Sequence, residues 1–312
     1  MNTPTSGLHH VTAIASDGPR NLAFYRDLLG LRFVKKTVNF DVPDTYHLYY
    51  GNEEGAPGTA MTFFLWPHLP QARAGYGITH TTRFAVPAGA LPHWETHLQQ
   101  IGVAVTRSQR LGEEVLLFDD PDGLHLGISE RGPAADSPAI LGFDGVELQL
   151  RSFEPTLGLL RQMGYQETVR ESDRIRLQAS SDAPWGRQID LFIVPGAAGA
   201  RQGLGSVHHI AFRAADDAQQ AEFAAWAQQQ GLQPSPVMDR NYFRSIYFRE
   251  PGGILFEVAT DAPGFTVDEP LEKRLDVLAD LKRRAGVLCS ADGQSDVLVG
   301  ELGGERRREV VV

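Results

Sequence analysis

Two histidine pairs, each placed before a strand-like run, are the residues of this chain best suited to metal chemistry. His9 and His10 lie in "GLHHVTAI" near the start, and His208 and His209 lie in "GSVHHIAF" towards the end. Glu257, in the apolar stretch "ILFEVAT", supplies a carboxylate. Two imidazoles and one carboxylate on one side of a metal leave its other positions open, which suits non-haem Fe(II) and oxygen chemistry. Such a site requires a fold that brings distant parts of the chain together.

A repeated pattern places these residues at equivalent positions of four similar segments. Each segment starts with a short strand-like motif and continues into a β-branched, apolar run. A helix-like stretch that ends at a glycine follows most of these starts. The four motifs are "GLHH", "GITH", "GFDG" and "SVHH", which end at His10, His80, Gly145 and His209.

The four segments also end alike, with a proline or glycine turn followed by an apolar strand. Aligning the turn prolines gives one equivalent position on each last strand. These positions are Phe63, Gly127, Asp190 and Glu257.

Each segment therefore reads as strand, helix and about three strands, a βαβββ unit. One short sheet with one helix cannot bury both of its faces, so units must pack in pairs. We predict an α+β fold of four βαβββ units that form two paired, partly closed barrels. The predicted divisions are residues 1–135 for an N-terminal pair, 136–265 for a C-terminal pair, and 266–312 for a tail that is partly helical or loosely ordered.

The pairing of the units decides the site, and the repeat alone leaves two alternatives open. If units one and four face each other, the site contains His10, His209 and Glu257. If units three and four face each other, it contains Asp190 with His209 and Glu257. The remaining histidines are interpreted as satisfied strand, helix or surface residues without a role: His47, His68, His80, His93, His97 and His125.

Composition excludes several classes of partner. The net charge of −10 argues against nucleic-acid binding, which needs a basic face. No apolar run reaches membrane-spanning length, and the first residues lack the pattern of a secretion signal. The single cysteine, Cys289, cannot form an internal disulfide. We therefore expect a cytoplasmic protein without nucleic-acid or membrane partners, whose exposed sheet edges would allow a homo-oligomer.

The chain resembles the vicinal oxygen chelate superfamily from about residue 7 to residue 262. Within it, "LHHVTAIA" with "KKTVNFDVPDTYHLYYGNEEGAPGTAMTFF" resembles the start of the hydroquinone-type ring-cleaving dioxygenases. "SVHHIAFRA" with "DRNYFRSIYFREPGGILFEVATDAPGF" resembles their last quarter. The tail after about residue 270 departs from the family pattern, and "LEKRLDVLADLKRRAG" within it reads as a short amphipathic helix.

This resemblance implies an Fe(II) site and an activity. The second histidine of each pair and the glutamate would bind Fe(II), which gives His10, His209 and Glu257 and favours the pairing of units one and four. The implied substrates are a small aromatic diol and O2, and the implied reaction opens the ring. Further residues would act in the pocket, although the first histidine of each pair reaches it only if the strand bulges. They are His9, Thr12, His208, Arg240 and Tyr247.

Two other functions fit the same superfamily. One is a metal-dependent isomerase of the glyoxalase type, or a thiol transferase, with Ni, Zn or Mn and no need for oxygen. The other is a non-catalytic protein that binds a small molecule in the cavity. The candidate ligand set argues against the binding protein, because simple binding needs no metal ligands.

Overall fold

Four βαβββ units form the body of the protein in the computed structural model, which describes residues 5–39 and 44–268. Unit one consists of β1 (Leu8–Ala15), α1 (Gly18–Leu22), a π-helical continuation (Ala23–Leu28), β2 (Arg32–Val38), β3 (Tyr46–Gly51) and β4 (Ala60–Leu65). Unit two consists of β5 (Ile78–Val86), α2 (Leu91–Gln100), β6 (Val105–Arg110), β7 (Glu113–Asp119) and β8 (His125–Glu130).

The second half of the chain repeats this order of elements. Unit three consists of β9 (Gly142–Leu150), α3 (Glu154–Gln162), β10 (Tyr165–Arg170), β11 (Arg174–Ala179) and β12 (Gln188–Ile193). Unit four consists of β13 (Ser206–Ala214), α4 (Asp217–Gln229), β14 (Met238–Asp239), β15 (Phe243–Arg249) and β16 (Leu255–Pro263). The predicted fold class is confirmed. Most of the predicted tail, including its helix and Cys289, lies outside the described residues.

The units combine into two curled sheets of eight strands each. Unit one joins unit four in the order β14-β15-β16-β13-β1-β4-β3-β2, and unit two joins unit three in the order β10-β11-β12-β9-β5-β8-β7-β6. Each sheet takes one unit from either side of the predicted division at residue 135. Within the described residues, no helix is long and apolar enough to cross a membrane.

The first strand of each unit lies at the centre of its sheet. β1 pairs antiparallel with β13, and β5 pairs antiparallel with β9. Strand β1 is buried along its whole length, whereas the edge strand β6 has no fully buried residue. Central strands covered on both faces carry apolar residues without alternation, which explains runs such as "VTAIA". The side chains of His10, Thr12 and His209 on these strands are therefore buried.

Each central strand pair contains two β-bulges, and the positions of the bulges show which residues of the two sheets are equivalent. In β1–β13 the extra residues are His9 and His208, which have no opposite partner in the register. In β5–β9 the extra residues are His80 and Asp144. His80 is thus the counterpart of His9, and Thr81 is the counterpart of His10. The repeat alignment, which equated His80 with His10, is wrong by one residue because bulges leave no mark in a repeat pattern.

The register of the last strands corrects a second position. Glu257 pairs with Ala211, two residues beyond His209. In unit one, the residue two positions beyond His10 is Thr12, and it pairs with Thr62 rather than with Phe63. Thr62 is therefore the unit-one counterpart of Glu257.

Phe63 belongs to the core instead. Its side chain is fully buried, and its ring centroid lies 4.5 Å from that of Tyr25. The repeat alignment makes Phe63 equivalent to Glu257 because unit one lacks a clean turn before its last strand.

A buried arginine occupies the centre of the second sheet. Arg83, which is only 1% exposed, lies two residues beyond Thr81. Its Nη1 donates to Asp190 Oδ2 at 2.6 Å and to Glu147 Oε1 at 2.9 Å, and its Nε donates to Asp144 Oδ2 at 2.9 Å. Asp190 is the counterpart of Glu257. It pairs with Glu147, three residues beyond the bulge at Asp144, and Glu257 pairs with Ala211, three residues beyond the bulge at His208. The second sheet thus places a guanidinium beside the carboxylate that corresponds to Glu257.

We expect the Arg83→Met variant to lose about 3–5 kcal/mol of the free energy of unfolding, because three buried carboxylates would lose their shared cation. Urea denaturation followed by circular dichroism measures this loss. Arg161→Met is the matched control, since its side chain is 54% exposed in an ion pair with Glu167 and should cost less than about 1 kcal/mol. Equal losses in the two variants would contradict the structural role of Arg83.

Candidate metal centre

Three potential ligand atoms from opposite ends of the chain converge between β1, β13 and β16. His10 Nε2 and His209 Nε2 lie 3.3 Å apart. Glu257 Oε2 lies 2.9 Å from His209 Nε2 and 3.4 Å from His10 Nε2. Among the described residues, this is the one group of three histidine, cysteine or acidic side chains close enough to share a metal ion. The alternative set that contains Asp190 is excluded, because Asp190 lies in the other sheet with Arg83.

The carboxylate of Glu257 is held with one oxygen directed at the two imidazoles. Glu257 is completely buried, and the Ser245 hydroxyl on β15 donates to its Oε1. Its Oε2 is buried without a hydrogen-bond partner among the described residues, although both ring nitrogens lie close. Burial raises the pKa of Glu257, but positive charge on the neighbouring His10 and His209 lowers it by more, so with protonated imidazoles the pKa lies well below its usual range. The carboxylate is then ionised, and a metal ion would replace the two protons as its compensating charge.

The first histidine of each pair contacts the second through the β-bulge. His9 Nδ1 lies 3.0 Å from His10 Nδ1, and His208 Nδ1 lies 2.8 Å from His209 Nδ1. Burial lowers the pKa of His9 well below its usual value and that of His208 to about 3, so both rings are neutral. Each can accept a hydrogen bond from the Nδ1–H of its neighbour. This arrangement leaves Nε2 of His10 and His209 unprotonated and free to bind a metal.

The spacing of the three atoms fits a small metal ion. Ligand atoms about 2.0–2.2 Å from a metal, at right angles to each other, are separated by about 3 Å. The three separations here range from 2.9 to 3.4 Å. A buried carboxylate oxygen without a hydrogen bond, facing two bare imidazole nitrogens, needs a cation between them. The donor set therefore fits the metal that the sequence predicts.

Arg240 and Tyr247 lie together beside His209. Arg240 Nε donates to the Tyr247 hydroxyl at 3.2 Å, and its guanidinium lies 5.3 Å from the centre of the Tyr247 ring. The Tyr247 ring packs edge-on against that of His209, with centroids 5.7 Å apart. Burial and the charge of Glu257 raise the pKa of Tyr247 well above its usual value, so its hydroxyl keeps its proton.

On the unit-one side of the candidate metal centre, four side chains form a series of hydrogen bonds that was not predicted from the sequence. The Tyr49 hydroxyl lies 2.6 Å from His47 Nδ1, and His47 Nε2 lies 2.8 Å from Thr62 Oγ1. Thr62 Oγ1 lies 2.8 Å from Thr12 Oγ1, which shares the strand face of His10. All four side chains are buried. The interpretation of His47 as a surface or helix residue is therefore wrong.

The hydrogen bonds from Tyr49 to His47 and from His47 to Thr62 can be donated in one direction. Burial raises the pKa of Tyr49, which keeps its proton and can donate to His47 Nδ1. Burial, followed by the nearby His10 and His209, lowers the pKa of His47, so the ring is neutral and its Nε2–H can donate to Thr62. The alternation in "YHLYYG" places His47 and Tyr49 on one strand face, a signal that could have revealed them.

The other histidines lie away from this centre. His80 and His125 stack on each other in the second sheet, with ring centroids 4.5 Å apart. His68 and His93 are exposed, and His97 Nε2 bonds to the Leu28 carbonyl at 3.0 Å.

Comparison with known proteins agrees with this geometry. The family model "Glyoxalase/Bleomycin resistance protein/Dioxygenase superfamily" matches residues 7–128 and 170–258. "Putative ring-cleaving dioxygenase MhqO" of Bacillus subtilis (strain 168) is 45% identical over 283 residues, which cover 87% of this chain and 90% of that protein. "Chlorohydroquinone/hydroquinone 1,2-dioxygenase" of Sphingobium indicum is 33% identical over 294 residues, which cover 86% of this chain and 88% of that protein.

A solved structure is similar along nearly the whole chain. The crystal structure of a "putative dioxygenase" from Bacillus subtilis has a TM-score of 0.82 and 41% sequence identity, and the match covers 93% of this chain and 98% of that one. The protein therefore belongs to the Glyoxalase/Bleomycin resistance protein/Dioxygenase superfamily, and its relatives over most of its length are named as ring-cleaving dioxygenases.

Proposed function

We propose that this protein is an Fe(II)-dependent, extradiol-type dioxygenase that opens the ring of a hydroquinone-type aromatic diol with O2. The observation that carries the proposal is the group formed by His10, His209 and Glu257, with three bare ligand atoms 2.9–3.4 Å apart. Two imidazoles and one carboxylate on one side of a metal are the ligand set of many non-haem Fe(II) oxygenases. When bound there, Fe(II) would supply Lewis acidity towards the diol and the redox chemistry that activates O2.

The hydroquinone substrate class rests on a relative. The Sphingobium indicum protein, 33% identical to this chain, is named for chlorohydroquinone and hydroquinone. Arg240 supports the same class, because a cation next to the metal ligands favours an ionised hydroxyl and negative charge that develops on oxygen. Tyr247, which keeps its proton, supplies a hydrogen-bond donor beside His209.

We propose that His9 and His208 affect the reaction by holding the ring orientation and the tautomer of the two ligand histidines. With Nδ1 accepting from His209, a neutral His208 carries its proton on Nε2 and can only donate there. His208 would therefore act as a hydrogen-bond donor rather than as the acceptor of the diol proton that an ordinary histidine pKa suggests. Thr12, oriented by Thr62 and His47, supplies a hydroxyl on the strand face of His10.

The cellular setting remains a prediction from composition. We propose a cytoplasmic enzyme whose partners are its aromatic substrate and O2, without nucleic acid or membrane.

We expect His10→Ala, His209→Ala and Glu257→Ala each to abolish stoichiometric iron binding and O2 uptake with hydroquinone, because each change removes one of three ligands. Plasma mass spectrometry after anaerobic loading with Fe(II) measures the metal, and an oxygen electrode measures uptake. His93→Ala, an exposed histidine on α2, is the matched control and should keep both properties. Oxygen uptake at the wild-type rate in any of the three ligand variants would refute the site.

We expect Tyr49→Phe to lower kcat/KM for the diol about tenfold with unchanged iron content, since a lost hydrogen bond of about 1.4 kcal/mol would release His47 and the two threonines. Tyr50→Phe is the control. It removes a buried hydrogen bond from the same strand, which the Tyr50 hydroxyl donates to Asn21 at 2.9 Å, and this bond is not part of the series that ends at Thr12. Steady-state oxygen uptake compares the two variants. An equal loss of activity in both would mean that the Tyr49 hydroxyl only stabilises β3.

A further inference from the structure

The second sheet has a cavity of its own, of about 760 Å³. Seven of its eight strands, β5 to β9 with β11 and β12, contribute to the lining. Thr81, the counterpart of His10, and Glu147, a partner of Arg83, are among the lining residues. The cavity therefore lies on the face of the second sheet that corresponds to the face of the proposed metal site in the first sheet. In the second sheet, the Arg83 guanidinium binds the buried carboxylates that a metal ion could otherwise bind. A molecule bound there would meet no ligand triad.

Planar side chains form one wall of this cavity. The rings of His80 and His125 are nearly parallel, at 23°, with centroids 4.5 Å apart. Phe192 packs edge-on against His80, with centroids 5.2 Å apart, and the Arg174 guanidinium lies 4.6 Å from the centre of the Phe192 ring. Flat aromatic and guanidinium surfaces favour a flat, aromatic ligand over a saturated one.

The polar groups at this wall are mainly hydrogen-bond donors. His80 Nδ1 bonds to Thr81 Oγ1 at 2.8 Å and His125 Nδ1 bonds to Asp119 at 2.6 Å. Both Nε2 atoms have no partner among the described residues. Burial lowers the pKa of His80 to about 4, so its ring is neutral and can donate through Nε2 when Thr81 donates to Nδ1.

The acidic groups nearby already have partners. Glu147 accepts from Arg83 at 2.9 Å and lies 3.7 Å from Arg174, and Asp119 accepts from His125. Asp120 accepts from the Tyr25 hydroxyl at 3.0 Å. Arg110, half-buried, adds a second cation to the lining. A ligand that enters therefore finds unused donors and two arginines, which suits an anionic oxygen group.

We propose that this second cavity is a binding site for a small aromatic carboxylate, which it holds between the histidine pair and Arg174 without transforming it. The site is separate from the metal centre and does not depend on the proposed ring-cleaving activity. The carboxylate meets Arg174 and the histidine Nε2 atoms, and the ring lies against the imidazoles and Phe192. The ring geometry and the imidazole Nε2 atoms beside Arg174 point to this ligand class.

Isothermal titration calorimetry of the full-length protein with benzoate tests this proposal. We expect millimolar or tighter binding, with cyclohexanecarboxylate and benzamide each about tenfold weaker, since one lacks the flat ring and the other lacks the charge. His209→Ala should bind benzoate as the wild type does. Loss of binding in His209→Ala would assign benzoate to the metal centre and overturn the proposal.

Two variants locate the site. Arg174→Met should weaken benzoate binding at least about tenfold, because a charged hydrogen bond is lost. His125→Ala, a half-buried position on β8, removes one imidazole of the wall and should also weaken binding, even if Arg174→Met folds poorly. Arg161→Met, whose arginine lies outside the cavity on α3, should bind normally. Absence of benzoate binding in the wild type, or unchanged binding in both Arg174→Met and His125→Ala, would refute the second site.

Discussion

The antiparallel pairing of β1 with β13 is the interaction on which the candidate metal centre depends. It joins two strands from opposite ends of the chain and sets Thr12 opposite His209 and His10 opposite Ala211. One bulge in each strand turns two consecutive histidines towards the same region, so that one can bind a metal while the other fixes its tautomer. A slip of one residue in this register would move the imidazoles to the other face.

Both sheets contain a fully buried carboxylate, and the two carboxylates differ in what compensates their charge. Each places a buried carboxylate opposite the residue that lies three positions beyond a central bulge, Glu257 in one sheet and Asp190 in the other. A buried carboxylate needs a compensating cation. Asp190 receives it from Arg83 and Arg176 within the protein, whereas the Oε2 of Glu257 faces only two bare imidazole nitrogens. Arg83 thus supplies the compensating charge in the second sheet. In the first sheet the equivalent residue is Thr12, which leaves the Glu257 charge to the metal ion that we propose.

The sequence is sufficient to predict the four units and the fold class, because strand and helix patterns repeat at chain scale. The repeat leaves two ligand sets open, and the choice of His10, His209 and Glu257 as proposed ligands comes from the family resemblance. The sequence is insufficient at single-residue resolution. His80 was aligned with His10 although it corresponds to His9, since an extra residue in a bulge is invisible without the partner strand. His47 was given no role, because a polar residue on a strand reveals its burial only when the neighbouring strands are known.

Crystallography of the Fe(II)-loaded protein, with anomalous diffraction measured at the iron edge, would show which residues bind iron. We expect one iron per chain in the first sheet, bound by His10 Nε2, His209 Nε2 and Glu257, and an Arg83 guanidinium without iron in the second sheet. Iron bound by other residues, or iron beside Asp190, would contradict this expectation.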